Sequence, residues 1–87
     1  MRRARLGASG PHISRIGLGG WAFGGPGWPH GLGPQDDADS IAAVRRALDL
    51  GVTWIDTAAV YGLGHSEEVV GRALEGVSPK PYIFTKC

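Results

Sequence analysis

A parallel α/β fold is predicted by three features of this 87-residue chain. Short apolar runs bounded by turn residues at 16–19, 52–55 and 82–85 read as strands. Two helical patterns, at about 37–50 and 66–74, separate the second and third runs from what precedes them. Residues able to do chemistry fall at the carboxyl ends of the runs. Strands separated by helices need crossover connections, which make a parallel sheet, and such crossovers are right-handed.

At the start, Arg5-Leu6 and His12-Ile13 flank Gly7-Ala8-Ser9-Gly10-Pro11, which predicts a small hairpin. Ile16-Gly17-Leu18-Gly19 is the first core strand. Eight of the fifteen glycines lie between Gly17 and Gly33, with Pro26 and Pro29 among them and Pro34 following. That stretch cannot be one regular element. A long loop over 24–35, carrying Trp28 and His30, is expected instead, and loops of that length are often functional.

Asp37 or Asp39 is expected to cap the first helix. Ile41, Val44, Ala47 and Leu48 share one face of it, while Arg45, Arg46 and Asp49 point away. Gly51 follows the helix where a left-handed cap favours glycine. Residues 52–55 lack polar alternation apart from Thr53, as in a strand covered on both faces. Ser66 is expected to cap the second helix, with Glu67 and Glu68 in its first turn complementing the helix dipole. Val69, Val70, Ala73 and Leu74 form its apolar face. Gly76 ends it, and Pro79 and Pro81 prevent continuation. Tyr82-Ile83-Phe84-Thr85 is the third strand.

Composition narrows the function classes. A hydrophobic fraction of 43% is that of a globular protein. A net charge of +1 makes no electrostatic case for nucleic acid. Arg2, Arg3 and Arg5 read as a solvated end. No apolar run follows them, so neither a leader peptide nor a membrane segment is expected. One cysteine, Cys87, excludes an internal disulfide framework and favours a reducing, cytoplasmic setting. Three histidines and that cysteine show no metal-ligand spacing, so no metal is expected.

Ligands of parallel β/α folds bind at the carboxyl ends of strands. Gly19 and Gly20 end the first strand, Asp56 the second and Lys86 the third, and Tyr61 lies in the loop leaving the second. Reducing an aldehyde or ketone needs a hydride at carbon and a proton at oxygen. A tyrosine hydroxyl, with an ordinary pKa near 10, is a weak acid. A lysine cation beside it favours the phenolate, and a carboxylate keeps that lysine charged and oriented. Tyr61 would be the acid, Lys86 its tuner and Asp56 the anchor. Taken singly, each has a plain reading as a turn, packing or solvated residue. Gly17-Leu18-Gly19-Gly20-Trp21-Ala22 also fits a dinucleotide-binding pattern, with Asp36, Asp37 or Asp39 about 20 residues on. That reading needs a helix at the glycines, and the Gly-Gly-Pro-Gly-Trp-Pro run after Phe23 excludes it.

The run Gly51-Val52-Thr53-Trp54-Ile55-Asp56-Thr57-Ala58-Ala59-Val60-Tyr61-Gly62, with Ser66-Glu67-Glu68-Val69-Val70-Gly71 and Phe84-Thr85-Lys86, resembles the aldo-keto reductase superfamily. Ser14-Arg15-Ile16-Gly17-Leu18-Gly19-Gly20-Trp21 is similar to that family's first strand and turn. The resemblance spans about residues 5–87. It implies the N-terminal part of a (β/α)8 barrel, truncated before the fourth strand, as one partial domain over 1–87. It implies reduction of a small-molecule carbonyl with NADPH, or NADH. Asp56, Tyr61 and Lys86 match three members of the family's catalytic tetrad. The fourth, a histidine on the fourth strand, has no match in His12, His30 or His65. Gly19, Gly20, Trp21 and Asp56 match positions near the nicotinamide ribose, and Trp21, Phe23 and Trp28 would line the substrate pocket. The alternative is an inactive truncated fragment or a cofactor-binding, non-enzymatic subunit of the same fold. An open apolar edge at 82–85 would favour self-association.

Overall fold

The computed structural model describes residues 1–87. Two strands, β1 (Arg3–Arg5) and β2 (His12–Ser14), form an antiparallel hairpin. A parallel sheet follows in the order β3 (Leu18–Gly19), β4 (Trp54–Asp56), β5 (Tyr82–Phe84). A single 3-10 turn over Trp21–Gly24 and helix α1 (Asp37–Asp49) connect β3 to β4, and helix α2 (His65–Ala73) connects β4 to β5. The strand–helix alternation is therefore as the sequence predicts. A 3-10 turn, not a long helix, follows the glycines, as the Gly/Pro run requires.

The core lies between the two helices and β4. Val44 of α1, Ile55 of β4 and Val69 and Ala73 of α2 are fully buried, with Phe23, Val70 and Leu74 around them. Each large apolar side chain so buried contributes roughly 1.5–3 kcal/mol. Arg45 does not simply point to solvent, because its Nε donates to the Ala73 carbonyl at 3.1 Å and helps hold α1 on α2. His65 Nε2 meets Asp37 Oδ1 at 2.8 Å across the same helix pair, and Arg72 lies 3.7 Å from the other oxygen.

Asp36, not Asp37 or Asp39, caps α1, accepting from the Ala38 N–H at 2.8 Å. Asp37 is engaged with His65 instead. Ser66 does not cap α2. Gly64, in the left-handed region at φ 101°, precedes the helix, and Ser66 lies inside the first turn, fully buried. Ile16 falls outside β3 and is 64% exposed, because the chain is still crossing from the hairpin there. Leu6 lies in the hairpin turn rather than a strand. No helix is long and apolar enough to cross a membrane.

The hairpin is tied to the sheet through one pair of residues. Ser14 N–H donates to Thr53 Oγ1 at 2.8 Å, and Thr53 N–H returns a bond to Ser14 Oγ at 3.0 Å. Trp54 adds an indole N–H bond to the Ser14 carbonyl at 2.8 Å. The Trp54 ring lies over Gly17, where an added Cβ would collide with it, and packs 5.6 Å from the Phe84 ring. Gly17→Ala should therefore displace Trp54 and cost about 1–3 kcal/mol. Thermal unfolding followed by tryptophan fluorescence checks this, and an unchanged melting curve would show that the close approach does not matter.

Candidate active site

The sheet register brings the candidate residues to one end. Gly19 pairs with Asp56, and Asp56 with Phe84, so three strand ends are level. Backbone bonding continues beyond them. Gly20 N–H donates to the Asp56 carbonyl at 2.8 Å, Thr57 N–H to the Phe84 carbonyl at 2.8 Å, and Ala59 N–H to the Lys86 carbonyl at 2.9 Å. These bonds hold Gly20 and Lys86 against β4 although neither lies in a strand.

Lys86 Nζ donates to Asp56 Oδ1 at 2.9 Å and to the Thr57 carbonyl at 2.7 Å. One of the ammonium's three protons is left uncommitted, with the centroid of the Tyr61 ring 5.1 Å away. The three residues singled out as catalytic are thus one cluster. The Asp56 hydrogen bond holds the Lys86 pKa above its ordinary 10.5, against the opposing pull of partial desolvation, and Tyr61 adds to the rise. Both members of the pair are about half exposed, so it adds little to stability. Its consequence is geometric: a cation fixed beside a phenol.

Tyr61 is placed by glycine contacts. The loop after β4 turns at Tyr61 and again at Gly62, whose φ is 64°. Gly62 presses on Gly24 so closely that a Cβ on either would meet the other's backbone at under 3 Å. Behind Tyr61 stands Trp28, its ring 5.9 Å from the tyrosine ring and tilted by 44°. Trp28 is buried, and its indole N–H donates to the Gly25 carbonyl at 3.2 Å. His30 stands edge-on to Trp28, and the His30 carbonyl accepts the Trp21 indole N–H at 2.8 Å. After Gly24, which ends the 3-10 turn, the 24–35 stretch is the expected loop, with Trp28 packed from it onto Tyr61. Trp28 meets the site from within, as a support for Tyr61. Phe23 belongs to the hydrophobic core. Of the three aromatics expected to line a pocket, Trp21 alone is widely exposed, at 47%.

Gly19 has open space where a Cβ would stand, and Trp21, Asp56 and Lys86 are accessible around it. A dinucleotide could approach the strand ends closely there, so the residues present fit the nicotinamide end of such a cofactor. Two residues that sequence reasoning did not assign to the site lie directly beneath it. Thr57 and Ser66 are buried, their hydroxyls are 2.8 Å apart, and Ser66 Oγ donates to the Gly20 carbonyl at 2.7 Å. No local signal marked them, since Thr57 follows Asp56 and Ser66 lies between His65 and Glu67, all partly exposed. A cavity of about 480 Å³ exists at the opposite end of the sheet, between the hairpin and Pro79, Lys80, Pro81 and Tyr82. None of Asp56, Tyr61 and Lys86 lines it.

Residues 15–87 match the aldo/keto reductase family. The chain is 48% identical over 75 residues to the aldo-keto reductase YhdN of Bacillus subtilis, covering 86% of this chain and 22% of that one. It is 39% identical over 89 residues to the NADH-specific methylglyoxal reductase of Escherichia coli, covering all of this chain and 26% of that one. Among solved structures, it superposes on 26% of an aldo-keto reductase of Bacillus halodurans in its holo form, with a TM-score of 0.80, 29% identity and all of this chain covered. A glycerol dehydrogenase of Gluconobacter oxydans matches at a TM-score of 0.75 and 42% identity, over 98% of this chain and 25% of that one. The chain thus spans about a quarter of the length of these relatives. Its alternating strands and helices have the architecture of part of their (β/α)8 barrel, and the chain belongs to the aldo-keto reductase family.

Proposed function

We propose that this chain carries the proton-delivering part of an NADPH-dependent reductase of aldehydes or ketones, working within a complete barrel. The observation that supports this best is Lys86 Nζ, held by Asp56 Oδ1 and the Thr57 carbonyl with the Tyr61 ring 5.1 Å away. Gly19, Gly20, Trp21 and Asp56 would hold the nicotinamide end of a cofactor, which when bound would supply the hydride for the carbonyl carbon. Tyr61 gives its hydroxyl proton to the carbonyl oxygen, so that the carbonyl leaves as an alcohol. Lys86 carries the positive charge that balances the phenolate left behind. Asp56 keeps the ammonium charged and in place. Trp28 limits the rotation of the tyrosine ring, and Trp21 offers an exposed apolar surface to the substrate. NADPH is the proposed cofactor, with NADH as the alternative, since one relative is named as NADH-specific. Cytoplasmic placement is part of the same proposal and rests on the single cysteine.

Two outcomes are expected. In the complete barrel that contains this chain, Tyr61→Phe should lower kcat for aldehyde reduction by about 10²–10⁴-fold, the usual contribution of a positioned acid. Cofactor binding, followed by NADPH fluorescence, should hardly change. Undiminished turnover would remove Tyr61 from the role of acid. The second concerns pH. A raised lysine pKa means that the stabilisation from the Lys86–Asp56 pair is fully present below 10.5 and is lost as pH rises through the folded value. Heteronuclear NMR titration of Lys86 should give a midpoint above 10.5, and Asp56→Asn should lower it. A midpoint at or below the ordinary value would show that the ion pair does not persist in solution.

A further inference from the structure

Beneath Asp56, Tyr61 and Lys86 lies a fully buried polar chain that the acid–base chemistry does not use. Ser66 Oγ donates to the Gly20 carbonyl at 2.7 Å. A hydroxyl has one proton, so the 2.8 Å contact between Thr57 and Ser66 must be donated by Thr57. The direction is therefore set: Thr57 hydroxyl to Ser66 hydroxyl to Gly20 carbonyl. Every donor and acceptor in this line has a partner, and hydrogen bonds in series strengthen one another away from water. The two side chains are 1% and 0% exposed.

The same two residues also meet Lys86 and Tyr61 through their backbones. The Thr57 carbonyl accepts from Lys86 Nζ at 2.7 Å, and the Thr57 N–H donates to the Phe84 carbonyl at 2.8 Å, two residues before Lys86. The Ser66 N–H donates to the Tyr61 carbonyl at 3.1 Å. Gly20 is pressed into the line from the other side, since a Cβ there would stand 2.8 Å from Ser66 Oγ and 3.2 Å from Thr57 Oγ1. A plain helix cap would bond to backbone N–H groups of its own helix. Ser66 instead reaches 46 residues back along the chain.

We propose that Thr57 and Ser66 are positioning residues for carbonyl reduction. Their relay sets the distance between the Gly20-Trp21 turn, where the nicotinamide end of the cofactor would lie, and the Lys86–Asp56–Tyr61 cluster. The proposal rests on the carbonyl-reduction reading above and names the residues that align its two halves. Neither hydroxyl exchanges a proton with substrate. Ser66 acts through the Gly20 carbonyl it holds, and Thr57 acts through Ser66.

The test compares Ser66→Ala, Thr57→Val and Thr57→Ser in the complete enzyme, with two readouts. Steady-state reduction of a generic aldehyde should show kcat lower by about tenfold in Ser66→Ala and Thr57→Val, with KM within about twofold, as for a fault in alignment rather than in binding. Thr57→Ser keeps the hydroxyl and should return kcat to within about twofold of the parent. Amide hydrogen exchange should speed up about tenfold more at Gly20 and Thr57 than at Val44 and Ile55, because a local tie has been cut while the core remains. Thr57→Val, close in shape to threonine, serves where Ser66→Ala does not fold. Unchanged kcat in both variants, or equal loosening at all four amides, would overturn the proposal. A parent enzyme without turnover linked to either NADPH or NADH would instead overturn the carbonyl-reduction reading. The exchange pattern would then still judge the relay: loosening confined to Gly20 and Thr57 supports it, and uniform loosening overturns it.

Discussion

The site depends on the carboxyl end of β4 being bonded on both sides. Asp56 and Thr57 are adjacent residues that face different neighbours. The Asp56 carbonyl receives Gly20 from the β3 side, and the Thr57 N–H reaches Phe84 on the β5 side. Parallel pairing alone would end at these residues, because β3 and β5 end level with β4. Extending the bonding one step beyond each strand end fixes the backbone of Gly20 and leads Lys86 to within 2.9 Å of the Asp56 carboxylate. The charged cluster follows from the backbone geometry and does not create it. An ion pair this exposed contributes too little to organise a fold, whereas buried backbone groups must find partners.

Close backbone approach is the second organising constraint. Gly24 against Gly62 and Gly17 under Trp54 are contacts that no other residue type allows. The first closes the Tyr61 loop onto the 3-10 turn and leaves Trp28 to fill the remaining space behind the tyrosine. The second seats the hairpin on the sheet. The high glycine content of the early chain is therefore partly a packing requirement, beyond the demand for left-handed backbone. In the 24–35 loop, glycines let the aromatic side chains approach the backbone.

Much of the site was legible in the sequence because strand-end chemistry depends on order along the chain. Asp56, Tyr61 and Lys86 could be placed together from the strand–helix alternation alone. Other features escaped because they depend on three-dimensional partners. Ser66 has the composition and position of a helix cap, yet its hydroxyl is taken by Gly20, and Gly64 starts the helix. Asp37 and Asp39 are as suited to capping as Asp36, and the choice among them is made by His65, which engages Asp37 from another helix. Phe23 and Trp28 are aromatic residues near a loop, and no local pattern distinguishes a pocket wall from a core contact. Ile16 looks like a strand residue by hydropathy, but the turn from hairpin to sheet leaves it in solvent.

In the proposed reaction Tyr61 and Lys86 deliver the proton as one unit held by the end of β4. A double-mutant cycle on kcat for carbonyl reduction, using Tyr61→Phe, Lys86→Met and both together in the complete enzyme, tests this most directly. Strong non-additivity is expected, with the double variant no slower than the slower single one by more than about threefold. Losses that multiply, as for two independent groups, would contradict it.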